Sequence, residues 1–167
     1  GMNDATWSPL DGSLVTGGTA GDVRWWSSLA TRPRAEFMPQ GRPQNATNVR
    51  MLLGDAGRRL GLILEDDKLQ LFNTNAMDPL GVIDDVRWPL RLTAAGELWW
   101  VDTEGRLRRK FLHETTVSVA PRALTNRPGL LLGCNLSPDG KAVFVGQSDE
   151  ISLHDADTGI ALVTVAY

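Results

Sequence analysis

The chain has 167 residues, 42% of them hydrophobic and 22% charged, with a formal net charge of −3. This is an ordinary globular composition, long enough for one domain with a sizeable core, and it excludes a general electrostatic attraction to nucleic acid or anionic membrane. Cys134 is the only cysteine, so no intrachain disulfide can form, which points to a reducing, cytoplasmic setting. No apolar run approaches the ~20 residues of a bilayer span. No signal peptide is visible, although Gly1 ahead of Met2 reads as a cloning remnant that leaves the native start open.

Taken in chain order, the sequence repeats one grammar four times. A strand at 5–9 is followed by the turn Asp11-Gly12, a short apolar run at 14–16, a polar turn at 20–22, an alternating run at 23–25 and a last strand at 35–38. The second pass runs through 49–54, Ala56-Gly57, 62–64, the acidic turn 65–67, 69–71 and 80–83. The third runs through 87–93, Ala95-Gly96, 98–101, 102–104, 107–108 and 116–119. The fourth runs through 130–138, Asp139-Gly140, 142–145, 148–150, 151–153 and 160–166. Asp-Gly and Ala-Gly are tight-turn pairs. The short apolar runs suit strands buried on both faces, and the alternating runs suit half-exposed ones. No stretch sustains a 3.6-residue period, so the expected class is all-β with few or no helices. Gly12, Gly57, Gly96 and Gly140 lie 45, 39 and 44 residues apart, which brackets the roughly 40–45 residues of a four-stranded β-propeller blade.

The turns then carry a resemblance. Ser137-Pro138-Asp139-Gly140-Lys141 is similar to the SPDGK turn of a WD repeat, and residues 7–12 are a stretched version of it. The stretch from Gly17 to Trp26 resembles the family's GGxDGxVRxWD segment. His154-Asp155-Ala156-Asp157-Thr158-Gly159 resembles its WDxxTG turn, with His154 where tryptophan is usual. The resemblance covers essentially the whole chain, more closely in the first and fourth repeats than in the second and third. It implies a single propeller domain over 1–167, with four four-stranded antiparallel blades at about 3–40, 46–84, 85–122 and 128–167. No repeat has the family's Gly-His pair, so its buried His–Asp–Ser/Thr–Trp network is expected to be absent. The chain starts near an inner strand and ends on an outer one. The ring therefore closes with four blades by packing alone, is completed by a second copy through open blade edges, or continues in a longer chain.

Chemistry is sparse. His113 and His154 sit at equivalent strand ends, and a pairing of either with Cys134 has no signature. No His/Cys pair has zinc spacing, Asp155 to Gly159 reads as a turn rather than a calcium loop, and no helix follows Gly17, Gly18 and Gly21 to make a phosphate loop. No cofactor or metal is expected. Asn45-Ala46-Thr47 and Asn135-Leu136-Ser137 read as chance sequons. The basic run 106–110 reads as a solvated strand face, with Arg106, Arg108 and Lys110 on one side. Trp25, Trp99 and Trp100, with Trp7 and Trp88 from inner strands, are expected to pack between blades. The second turns gather acids (Asp22, Asp66, Asp67, Asp102, Glu104 and Asp149) that would form an acidic rim able to steer a basic partner. The reading is a non-catalytic module that binds another protein or domain, with no nucleic acid or membrane partner. The alternative is a ligand-sensing or enzymatic propeller with a central site drawn from Arg50, Arg87, Arg91, Asn135 and Ser137.

Overall fold

The structure, a computed structural model, describes residues 2–7, 13–18, 22–27, 35–37, 50–54, 59–63, 67–74, 76, 78–93, 95–112 and 120–167. These residues form four antiparallel four-stranded sheets, each a simple meander in chain order. The first sheet comprises β1 (Met2–Trp7), β2 (Leu14–Gly18), β3 (Val23–Trp26) and β4 (Ala35–Phe37). The second comprises β5 (Arg50–Gly54), β6 (Arg59–Ile63), β7 (Leu69–Asn73) and β8 (Pro79–Ile83). The third comprises β9 (Trp88–Leu92), β10 (Glu97–Val101), β11 (Arg106–Phe111) and β12 (Arg122–Ala123). The fourth comprises β13 (Leu131–Leu136), β14 (Ala142–Gln147), β15 (Glu150–Asp155) and β16 (Ala161–Ala166). Among the described residues the only helical turn is a 3₁₀ turn at Pro128–Leu130.

Fifteen of the sixteen strands overlap the segments expected from the sequence. The exception is the last strand of the third sheet. Residues 116–119 lie outside the described residues, and the strand paired with β11 is Arg122–Ala123, through Arg106↔Ala123 and Leu107↔Arg122. A two-residue Arg-Ala strand has no apolar rhythm that could announce it. Gly12 and Gly57 also lie outside the described residues. Gly96 and Gly140 take φ of 78° and 75°, the left-handed backbone that a side chain with a Cβ disfavours.

The chain divides into two compact units, residues 1–85 with 92–96 and residues 86–91 with 97–167. In the first unit one face of the first sheet packs on the second sheet. Val15 and Val23 meet Met51 and Phe72, with Trp25 and Leu53 against them. Trp25 Nε1 donates to Ser13 Oγ at 2.9 Å, so its polar edge is satisfied while the ring packs. Trp7 departs from expectation. It ends β1 on the other face of the sheet, with Leu14 and Trp26 as its successive cross-strand neighbours, and is 66% exposed.

In the second unit Trp99, Val101 and Leu107 of the third sheet pack with Leu131, Val143 and Val145 of the fourth. Trp88 and Cys134 pack against this core. β10 is buried at Leu98, Trp99, Trp100 and Val101 in succession, the pattern of a strand covered on both faces. Burying side chains of this size contributes about 1.5–3 kcal/mol each, which lets short strands hold without helices.

Candidate functional site

The second turn of each sheet was the expected rim, and the structure treats its acids very differently. Asp102 follows β10 and is fully buried. Its Oδ1 accepts from the backbone N–H groups of Glu104 (3.0 Å) and Arg106 (2.9 Å). Its Oδ2 accepts from Arg106 Nε (2.8 Å) and Arg108 Nε (2.6 Å). Burial alone would push this carboxyl up. The backbone N–H of Arg106 and the guanidinium groups of Arg108 and Arg106 outweigh it and hold the carboxyl below its ordinary value. Asp102 is therefore a lock on the hairpin rather than a rim acid, because its charge is enclosed by its own strand partners. The same contacts correct the reading of 106–110. Two of its arginines are half-buried clamps on Asp102, and Arg109 lies over the Trp99 ring at 5.1 Å.

At the matching turn of the fourth sheet a neutral residue does this work. Gln147 is buried; its Oε1 accepts from Thr125 Oγ1 at 2.8 Å and its Nε2 donates to Glu150 Oε1 at 2.6 Å. Asp22, at the matching turn of the first sheet, is buried and pairs with Arg24 at 3.1 Å. Asp67 is half-buried at a left-handed φ of 51°, and Asp66 lies outside the described residues. Among the described acids of this expected rim, only Glu104 and Asp149 present well-exposed carboxylates, with side chains 65% and 51% exposed, and each meets an arginine: Arg106 at 2.6 Å and Arg127 at 2.7 Å.

The WD-like turns have well-defined local chemistry. Ser137 Oγ donates to Asp139 Oδ1 at 2.6 Å, and the N–H of Ala142 donates to Ser137 Oγ at 2.9 Å. Asp139 is held below the usual carboxylate range by the Ser137 hydroxyl, then by the Lys141 N–H. Asp155 Oδ1 accepts from the Thr158 hydroxyl and the N–H groups of Thr158 and Asp157, and its carboxyl is likewise lowered by Thr158. These carboxylates cap their own turns, as Asp does where the backbone reverses.

The nucleophile candidates are occupied by structure. His154 is buried, with Nε2 2.9 Å from Ser152 Oγ and Nδ1 3.0 Å from the Gly159 carbonyl. Part of a buried His–Ser network therefore exists in the fourth sheet although no Gly-His pair signals it. Burial pushes the Cys134 thiol up to about 12, so it is not a thiolate near neutrality. His113 lies outside the described residues. Of the central-site candidates, Arg91 Nη1 donates to the Pro138 carbonyl at 2.8 Å and so braces the turn that Ser137 opens. Arg87 anchors through its backbone N–H to the Val101 carbonyl at 2.9 Å. Asn135 is exposed, and the Arg50 side chain lies outside the described residues. Among the described residues no group of three His, Cys, Asp or Glu is arranged to hold a metal ion, and no helix is long and apolar enough to cross a membrane.

A feature that sequence reasoning missed is apolar. On β14, Val143 and Val145 point into the core of the second unit while Phe144 points away, 42% exposed. Phe144 pairs across to Leu153, and Leu153 to Val163; Gly146 pairs to Ile151, and Ile151 to Val165. Ile151, Leu153, Val163 and Val165 are 39%, 37%, 55% and 56% exposed. One face of the fourth sheet is thus a continuous apolar surface. The signal was present: the run at 142–145 is apolar at both parities, as in a strand covered on both sides.

No family model matches the chain, and no curated protein matches it. Its fold is similar to that of a WD40 β-propeller chain in the crystal structure of a mitotic checkpoint complex. The TM-score is 0.74 and the identity 13%, over 98% of this chain and 49% of that one. The likeness is one of fold, and this chain spans about half the length of that propeller.

Proposed function

We propose that this chain is a non-catalytic interaction module built from four WD-type propeller blades, and that it works by docking another protein surface. The observation that carries this reading is the open apolar face of the fourth sheet. A contiguous exposed apolar surface is unusual on a free monomer and is characteristic of protein-binding sites. The polar groups favour the same reading: His154, Asp102 and Gln147 are engaged in hydrogen bonds that hold their own sheets, and Cys134 is an apolar-packed thiol.

Within this reading the described part of the acidic rim narrows to Glu104 and Asp149, its two well-exposed carboxylates. Rim charges of this kind act mainly on the association rate. The test is proximity labelling in the native cell, followed by direct binding of each purified hit to the wild-type protein, to Phe144→Asp and to Glu104→Arg/Asp149→Arg. Loss of binding in the first variant, with a salt-dependent slowing of association in the second, supports the module and its rim. Hits that bind all three proteins equally count against both surfaces.

A further inference from the structure

The seam between the third and fourth sheets opens at its outer end into a recess walled by both. On the face of the third sheet turned to the fourth, Trp99 lies opposite Arg109 across β10 and β11, and Leu107 lies opposite Arg122 across β11 and β12. Buried Trp99, Leu107 and Ala156 form the floor, and Arg109, Arg122 and Asp157 stand around it. The wall from the fourth sheet is the turn at 155–159, which lies hard against β12. A Cβ on Gly159, whose φ is 74°, would come within 3.0 Å of Arg122 Cβ and 3.1 Å of the Ala123 carbonyl oxygen. The backbone of Asp157 is pinned in this turn: its N–H donates to Asp155 Oδ1 at 3.1 Å, and its carbonyl accepts from Arg122 Nε at 2.8 Å.

The arginines of this recess are unequally engaged. Arg108, which also lines it, is committed to Asp102. Arg122 spends its Nε–H on the Asp157 carbonyl. Arg109 is held over the Trp99 ring at 5.1 Å and is two-thirds covered, yet the carboxylate oxygens around it, Asp157 Oδ1 and Glu97 Oε1, stand 3.9 and 4.0 Å from its Nη1. Those separations are too long for hydrogen bonds. Among the described residues, therefore, no acceptor takes the N–H fork of a guanidinium that stacking has already positioned. The Asp157 carboxylate itself stays in solvent, 79% exposed.

We propose that this recess binds a single carboxylate, of the kind an aspartate or glutamate side chain of a partner protein presents, with Arg109 taking it through two N–H groups and Arg122 flanking it. A planar carboxylate matches the planar guanidinium fork, and the stacked arginine loses little freedom on binding it. The two guanidinium groups repel a cation. A flat aromatic ligand has no platform, because Arg109 already covers the Trp99 ring. A phosphate dianion would meet both Asp157 and Glu97 beside Arg109, so the recess suits one negative charge rather than two. The site lies in the seam and not on the open face around Phe144. It goes beyond the docking reading and stands or falls apart from it.

The experiment is an NMR titration of the full native chain, reading the Nε–H signals of Arg109 and Arg122 and the indole N–H of Trp99. The probes are a blocked tripeptide with a central glutamate, its glutamine analogue, inorganic phosphate, and sodium chloride at matched ionic strength. The glutamate peptide is expected to give saturable shifts at all three signals, with a dissociation constant on the order of 1–10 mM for one carboxylate held by charged hydrogen bonds. Asp157→Asn should tighten binding roughly fivefold by removing a like charge about 4 Å away. Arg109→Lys, which keeps the charge and loses the fork, should abolish saturation at Arg122 and Trp99. Arg122→Gln, expected to weaken binding, serves if Arg109→Lys fails to fold by circular dichroism. Shifts that the glutamine peptide or sodium chloride reproduces, tighter binding of phosphate than of the peptide, or saturation unchanged in the arginine variant overturn the proposal. None of these outcomes bears on the apolar face, which Phe144→Asp tests.

Discussion

The third and fourth sheets share a layout and solve two of its problems in opposite ways. Beneath its second turn the third sheet buries a charge, Asp102, and surrounds it with Arg106 and Arg108. The fourth sheet buries an amide, Gln147, and joins it to Thr125 and Glu150. On the face turned toward the next sheet, the third places Trp99 under cover and the fourth leaves Phe144 open. The repeat conserves the need for a satisfied buried polar group at the turn, while the chemistry that meets the need is free to drift. The repeat also conserves a stacking face, whether or not a neighbour in the same chain covers it.

The comparison breaks most visibly at the stacking face. Trp99→Ala is expected to cost about 3–5 kcal/mol, through lost transfer energy and the cavity left among Val101, Leu131 and Val145. Phe144→Ala, measured in urea at a concentration where the chain is monomeric, should change stability by no more than about 0.5 kcal/mol. Equal costs would mean that Phe144 is covered in the monomer.

The turn anchors come next. Asp102→Ala should cost about 3 kcal/mol, the low end for a broken buried pair, because Arg106 and Arg108 keep partial access to water. Gln147→Ala should cost about 1–3 kcal/mol for the unsatisfied groups it leaves. A pH scan sharpens the distinction. The Asp102 carboxyl titrates lower in the folded chain than its unfolded value near 3.9. Its contribution is therefore complete above about pH 4 and is lost as pH falls through the lower folded value. Asp102→Asn should flatten that acid limb, and Gln147→Ala should leave its slope unchanged.

The smallest effect is at the rim. Glu104→Arg and Asp149→Arg should each shift stability by no more than about 0.5 kcal/mol, since exposed pairs with Arg106 and Arg127 contribute little. A larger loss at either site, read from thermal unfolding in low salt, would show a structural rather than a docking role.

Much of the strand order was legible because local chemistry states it. Gly96 and Gly140 adopt the positive φ that a turn demands, and 98–101 and 142–145 are apolar at both parities because both faces of those strands are made to be covered. The candidate site was less legible. Asp102 and Glu104 look alike in sequence, two acids two residues apart in one turn. One is sealed and the other is in solvent, because Asp102 is enclosed by Arg106, Arg108 and two backbone N–H groups of its own turn, while Glu104 meets Arg106 at the surface. Trp7 has the composition of a core residue and stands exposed, because its strand turns that side away from the packed face.

The sequence by itself determined the all-β class, the fourfold repeat and the turn positions, since period-two burial and left-handed glycine turns are properties of a few adjacent residues. Only the tertiary structure decided which acids are buried, which tryptophans are core and which sheet face lies open. Those outcomes depend on what a neighbouring sheet places opposite each side chain, and no local pattern carries that information.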